Sequence, residues 1–202
     1  MRRMRRWSAV SAAAAVALVA TQAGAQPITL KAALSGANEF PSNASTGTGF
    51  TTVTYDPTAH SLRVQASFAN LLGTTTASHI HCCVANPFDV TQTAGVATQT
   101  PTFAGFPLGV LAGTYDNTFD LTQASSWNAA YITANGGTAA SAEAAFSAGL
   151  LSGRSYLNIH TSVVPGGEIR GFLAVVPEPS TYALMATGLA GVGMAAWRRR
   201  RA

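Results

Sequence analysis

Four stretches of the chain alternate apolar and polar residues with a period of two, and this restricts the fold more than any other feature. Ile28, Leu30, Ala32 and Leu34 lie on one side, with Thr29, Lys31 and Ala33 on the other. Leu62, Val64, Ala66 and Phe68 alternate with Arg63, Gln65 and Ser67. Leu157 and Ile159 alternate with Tyr156, Asn158 and His160, and Ile169, Gly171, Leu173 and Val175 with Glu168, Arg170 and Phe172. An extended chain turns successive side chains to opposite faces, so the pattern describes half-buried antiparallel strands. Asp56-Pro57, Asn70 to Gly73 and Pro165-Gly166-Gly167 supply turns between them. One alanine-rich stretch departs from the pattern. From Thr138 to Leu151, with Thr138 as N-cap and Gly153 past the end, the residues predict a short helix. A weaker helical turn is expected around Ser125 to Tyr131. The fold class is all-β, a sandwich or barrel with a short helical insertion.

The two ends read differently from the middle. Arg2, Arg3, Arg5 and Arg6 precede an apolar run from Trp7 to Ala20 and the small-residue site Ala23-Gly24-Ala25. Residues 1–25 are therefore expected to be a signal peptide, delivered to the Sec translocon and removed by signal peptidase. The other end carries Val176-Pro177-Glu178-Pro179-Ser180, an apolar run from Tyr182 to Trp197 and the arginines 198 to 201. That run is at the short end of what crosses a bilayer, and its basic flank predicts a transmembrane helix with a cytoplasmic tail. Residues 176–202 form this segment, and 26–175 form one domain on the far side of the membrane.

Charge agrees with the division. The net +4 comes from 12 basic and 8 acidic residues, but eight of the arginines sit in the terminal clusters. Without them and Glu178, the middle keeps four basic and seven acidic residues, about −3. No basic patch with interleaved aromatics remains, so nucleic acid is not an expected partner.

The chemistry of the middle concentrates at His79-Ile80-His81-Cys82-Cys83. On a strand His79 and His81 share a face with Cα atoms roughly 6.5 Å apart, which suits two imidazoles on one ion. His160, on the polar face of its own strand, is the natural third ligand, and three neutral imidazoles suit copper or zinc. The alternative is that the histidines bond to backbone or to Glu168 and stabilise the sheet. Cys82 and Cys83, the only cysteines, are expected to form a vicinal disulfide in an oxidising compartment, ahead of intermolecular bridging or thiolate ligation. Glu168 and Arg170 share a strand face after the Pro-Gly-Gly turn. They are expected to act as a structural clasp, by pairing or by bonding backbone. Arg154 reads either as an exposed turn residue or as an anion guide near His160.

Two resemblances add to this reading. The tail, with Pro177, Glu178, Pro179, the apolar run and the arginines, closely resembles the PEP-CTERM sorting signal of Gram-negative bacteria. That resemblance implies an exosortase-type protease as partner, release to the cell surface or exterior, and association with exopolysaccharide or surface proteins. Leu34-Ser35-Gly36-Ala37-Asn38-Glu39-Phe40-Pro41, His79-Ile80-His81, Gly153 to Thr161 and Pro165 to Gly171 resemble, in order, the sequence elements of the CHRD (chordin) domain. This implies a Greek-key sandwich or barrel similar to copper/zinc superoxide dismutase. Cys82-Cys83 departs from the family pattern, where glycine often follows the H-I-H element.

No G-x-S-x-G element or paired catalytic carboxylates can be assigned, so no catalytic residue is named and a non-enzymatic role is favoured. The chain is expected to be an exported binding module at the cell surface or in the extracellular matrix. The alternative is a copper-binding redox protein using His79, His81 and His160, and four histidines are too few for a two-metal dismutase site.

Overall fold

The computed structural model describes residues 26–86, 88–177 and 179–201. The expected signal peptide and Glu178 of the sorting triplet lie outside the described residues. Three consecutive antiparallel strands, β1 (Ile28–Ser35), β2 (Thr48–Asp56) and β3 (Ser61–Ala69), open the domain. Then come β4 (Thr75–His81), β5 (Gly113–Asp120), β6 (Tyr156–Thr161), β7 (Ile169–Phe172) and the two-residue β8 (Ala174–Val175). The sheet runs β4-β6-β7-β1-β2-β3-β5, with β8 also paired to β1, and every pairing is antiparallel. It curls into a half-barrel, which bears out the all-β class with a short helical part.

The alternation seen in the sequence sets the core. Leu30, Ala32 and Leu34 of β1 and Leu62, Val64, Ala66 and Phe68 of β3 are all buried, while Lys31, Ala33 and Arg63 face solvent. The concave side is filled by aromatics from outside the regular strands, among them Phe103, Trp127 and Phe146. Each such fully buried side chain contributes about 1.5–3 kcal/mol.

Two helices close the open side. α1 (Ala129–Ala134) is capped by the Asn128 side chain, and α2 (Ala139–Leu151) buries Phe146 and Leu150 in the core. α2 starts in a capping box: the Thr138 hydroxyl accepts from Ser141 N–H, and the Ser141 hydroxyl accepts from Thr138 N–H. Removing it with Thr138→Ala should cost about 1 kcal/mol, read as a small shift of the urea midpoint at constant slope.

β6 differs from the outer strands. It lies between β4 and β7, and Tyr156, Leu157, Asn158 and Ile159 are all buried, so both its faces are covered. Leu157 and Ile159, with Ile80 and Ile169, point into the core. The opposite face carries His79 and His81 of β4, Tyr156, Asn158 and His160 of β6, and Arg170 of β7. Residues 36–43 and 90–94 bond to this face and roof it. Polar side chains that a two-layer reading would leave in solvent are thereby buried.

The tail also forms a helix, α3 (Pro179–Arg201), ending in four arginines. The expected transmembrane span is corrected here: among the described residues no helix is long and apolar enough to cross a membrane. Tyr182 to Trp197 is sixteen residues, about 24 Å of helix against a hydrocarbon layer of about 30 Å. Thr187, Gly188, Gly191 and Gly193 further dilute its apolar character.

Candidate metal centre

The register of β4 on β6 builds the site. His79 lies opposite Asn158, His81 opposite Tyr156, and His160 opposite Ala77, one step beyond His79 on the same face. The three rings cluster, with centroids 4.8 Å (His79–His81), 4.6 Å (His79–His160) and 5.9 Å (His81–His160) apart. One ring nitrogen from each lies within 4.8 Å of the other two, and no other histidine, cysteine or carboxylate group of this kind occurs among the described residues. His60, the fourth histidine, is elsewhere and bonds the Glu143 carboxylate at 2.9 Å.

The surroundings fix which nitrogens are free. The His81 Nδ1 pairs with the Ala94 carbonyl at 2.7 Å and the His160 Nδ1 with the Pro165 carbonyl at 2.8 Å. A carbonyl can only accept, so each Nδ1 carries the proton and each Nε2 keeps its lone pair. Both Nε2 atoms, and Nδ1 of His79, are buried without a hydrogen-bond partner. Orphaned buried nitrogens cost free energy unless something binds them. A backbone acceptor on the far nitrogen is also how ligating histidines are oriented.

Burial keeps the rings neutral. It pushes the His79 pKa down to about 3, helped by His81 and His160. It lowers His81 to about 4, against the hydrogen bond to Ala94. His160 is lowered by the same cause, its bond to Pro165 opposing. A neutral imidazole is the form that ligates.

An aromatic and cationic layer backs the rings. His81 stacks on Tyr156 at 4.7 Å, and the Arg170 guanidinium also lies over the Tyr156 ring, 4.7 Å from its centroid. Arg170 is 1 % exposed. Its Nε donates to Asn38 O, Nη1 to Gln92 O and Nη2 to Val90 O. Glu39, 3.7 Å away, is its carboxylate neighbour. Burial raises Glu39 to about 7 in spite of Arg170.

Glu168 and Arg170 thus hold different loops and do not pair. Glu168 accepts from the hydroxyls of Ser45 and Thr161 and from the N–H groups of Leu72 and Gly73. Glycine is required beside it: Gly167 has φ +130°, and a Cβ there would meet the Asn158 amide and a Glu39 oxygen.

Cys82 and Cys83 are disulfide-bonded to each other just after β4 ends, so neither offers a thiolate to the histidines. Arg154 stands beyond the other end of β6 from His160, where it donates to Val84 O and Ser152 Oγ. From the sequence, Tyr156 and Asn158 have only a place on the polar face of the His160 strand, and their contacts there are not legible. Glu39, near Pro41, reads as a clasp of the same kind as Glu168 and Arg170, and it stands 3.7 Å from Arg170.

An all-β exported protein with a buried histidine cluster is the class these features define. The chain belongs to the CHRD domain family, which matches residues 30–173. Residues 175–201 match the PEP-CTERM protein-sorting motif, which marks an exported, exosortase-sorted surface protein. No curated protein and no solved structure matches the chain.

Proposed function

We propose that this protein is a surface-displayed binding module whose half-barrel carries one transition-metal ion, copper or zinc, on His79, His81 and His160. The observation behind the reading is that one ring nitrogen of each histidine lies within 4.8 Å of the other two, and each ring carries a buried nitrogen without a hydrogen-bond partner. Metal–nitrogen bonds of roughly 2.0–2.1 Å need the rings to draw in slightly. The Ala94 and Pro165 carbonyls would orient two of the rings while they do so. An ion held there would cross-link β4 to β6 and, with an open position, would supply a Lewis-acidic point beneath the roof of residues 36–43 and 90–94.

The roofed, aromatic surroundings favour a holding site over turnover. Among the described residues no carboxylate is grouped with the three histidines, and Glu39 faces Arg170. The exopolysaccharide or surface-protein partners implied by the sorting motif would be met by the module as displayed, after the membrane-bound tail has been processed.

Elemental analysis of the exported protein tests this. Close to one equivalent of copper or zinc should survive dialysis, and the His79→Ala/His81→Ala protein should retain less than a tenth of that. Equal metal in both proteins would end the reading.

A further inference from the structure

A second cavity, about 600 Å³, opens between α1, α2 and the chain that follows β4, and none of the three histidines lines it. Its floor is the Cys82–Cys83 disulfide with Ala145 and Ala148 of α2. The disulfide rests directly on α2 at Gly149, where a Cβ would collide with both sulfurs. The floor is therefore rigid, apolar and free of side chains long enough to fill the space.

Asn128 and Asn135 also line the cavity, but their amides are bonded to backbone, which leaves two polar groups there that the protein does not satisfy. Tyr131 is 9 % exposed, and its hydroxyl is buried with no hydrogen-bond partner. Arg154 spends Nε on Ser152 and Nη1 on the Val84 carbonyl. Among the described residues no carboxylate pairs with it, and its Nη2 donates to no protein group. Arg63 and Arg170, by contrast, each have a carboxylate neighbour. Burial pushes the Tyr131 phenol up to about 12 against the pull of Arg154, so at neutral pH it donates.

A neutral donor and an uncompensated cation in one apolar cleft call for an anionic acceptor attached to an apolar body. We propose that this cavity binds a small organic carboxylate, its carboxyl shared between the Tyr131 hydroxyl and the free edge of the Arg154 guanidinium and its body lying over the Cys82–Cys83 disulfide. Guanidinium and carboxylate match in geometry and charge. Phosphate is disfavoured because a compact, multiply charged anion needs more donors than these two groups supply and gains nothing from the apolar floor.

Calorimetric titration of the exported protein with benzoate, benzamide and inorganic phosphate decides the matter. Benzoate should bind saturably in the millimolar range or tighter, with benzamide and phosphate at least tenfold weaker. Tyr131→Phe and Arg154→Gln should each weaken benzoate roughly tenfold. Tyr131→Phe should melt no lower than the parent, because the hydroxyl bonds nothing in the free protein, so its loss of binding is read on a folded protein. Absence of benzoate binding, equal binding of benzamide or phosphate, or full benzoate affinity in both variants would each overturn the proposal. His79→Ala should leave benzoate binding unchanged, which separates this cavity from the metal centre.

Discussion

Glu168→Ala should lower the stability of the domain by roughly 3–5 kcal/mol, the range for removing one partner of a buried charged network. Glu168 is fully buried, and among the described residues no cation pairs with it. Its charge is met by four donors: Ser45 and Thr161 hydroxyls at 2.6 Å each, Leu72 N–H at 2.6 Å and Gly73 N–H at 3.2 Å. These join the entry to β2, the entry to β4 and the end of β6 through one side chain. Alanine leaves buried donors without an acceptor, each costing about 1–3 kcal/mol where water cannot reach it. Thr161→Ala, which removes one donor and keeps the carboxylate, should cost only about 1 kcal/mol. Burial alone would raise the carboxyl pKa, but the hydrogen bonds outweigh it and hold the group below its ordinary 4.5. A depressed folded pKa means the stabilisation is complete above 4.5 and is lost as pH falls through the lower folded value. Urea unfolding at pH 7 provides the check. A loss below 1 kcal/mol for Glu168→Ala, at unchanged slope, would show that the loops are held by other contacts.

How much of this could be read from residues alone varies from element to element. Period-two alternation located β1, β3, β6 and β7, because each has one face in a continuous core. Thr138 marked the start of α2 because a hydroxyl at an N-cap is a local requirement. The convergence of His79 with His81 follows from strand geometry, also local. Contact with His160 needed the pairing of β4 with β6, which crosses some eighty residues and includes a register shift between Thr75 and Ala77. The roof over the histidines was not legible at all. It is made by a single 3-10 turn ending at Asn38 and an irregular segment around Gln92, neither long enough to show a periodicity, both held by their carbonyls on Arg170. For the same reason the sequence left open whether Glu168 and Arg170 pair with each other or bond backbone. Two side chains on one strand face are neighbours by spacing, yet each found donors or acceptors in a loop distant in sequence. The tail showed the opposite limit: its motif is specific, but hydrophobic length is a physical threshold that sixteen glycine-diluted residues do not reach.

Stripped of metal, the protein should be least tolerant of mild acid, and a bound ion should repair this. His79 and His81 titrate near 3 and 4 when folded and near 6.5 when unfolded, so between these limits the unfolded chain binds the additional protons. Stability contributed by their burial as neutral rings is therefore complete above 6.5 and falls as pH drops toward 4. Glu39 acts in the other direction. Its folded pKa of about 7 lies above the unfolded 4.5, so its burial becomes less costly as pH falls across the same window. Two histidines outweigh one glutamate, and His160, also lowered, adds to their side. The metal-free domain should be roughly 1–3 kcal/mol less stable at pH 5 than at pH 7. Zinc at a hundredfold excess over its dissociation constant should add about 2.7 kcal/mol at pH 7, because under the proposed reading the ion would bind nitrogens that only the folded sheet brings together. In the His79→Ala/His81→Ala protein both effects should disappear together: zinc no longer shifts the melting temperature, and the slope between pH 7 and 5 flattens as Glu39 offsets what remains of His160. A double variant that kept the zinc shift would place the ion elsewhere. One that kept the full acid slope would assign the proton-linked loss to groups outside the β4–β6 face.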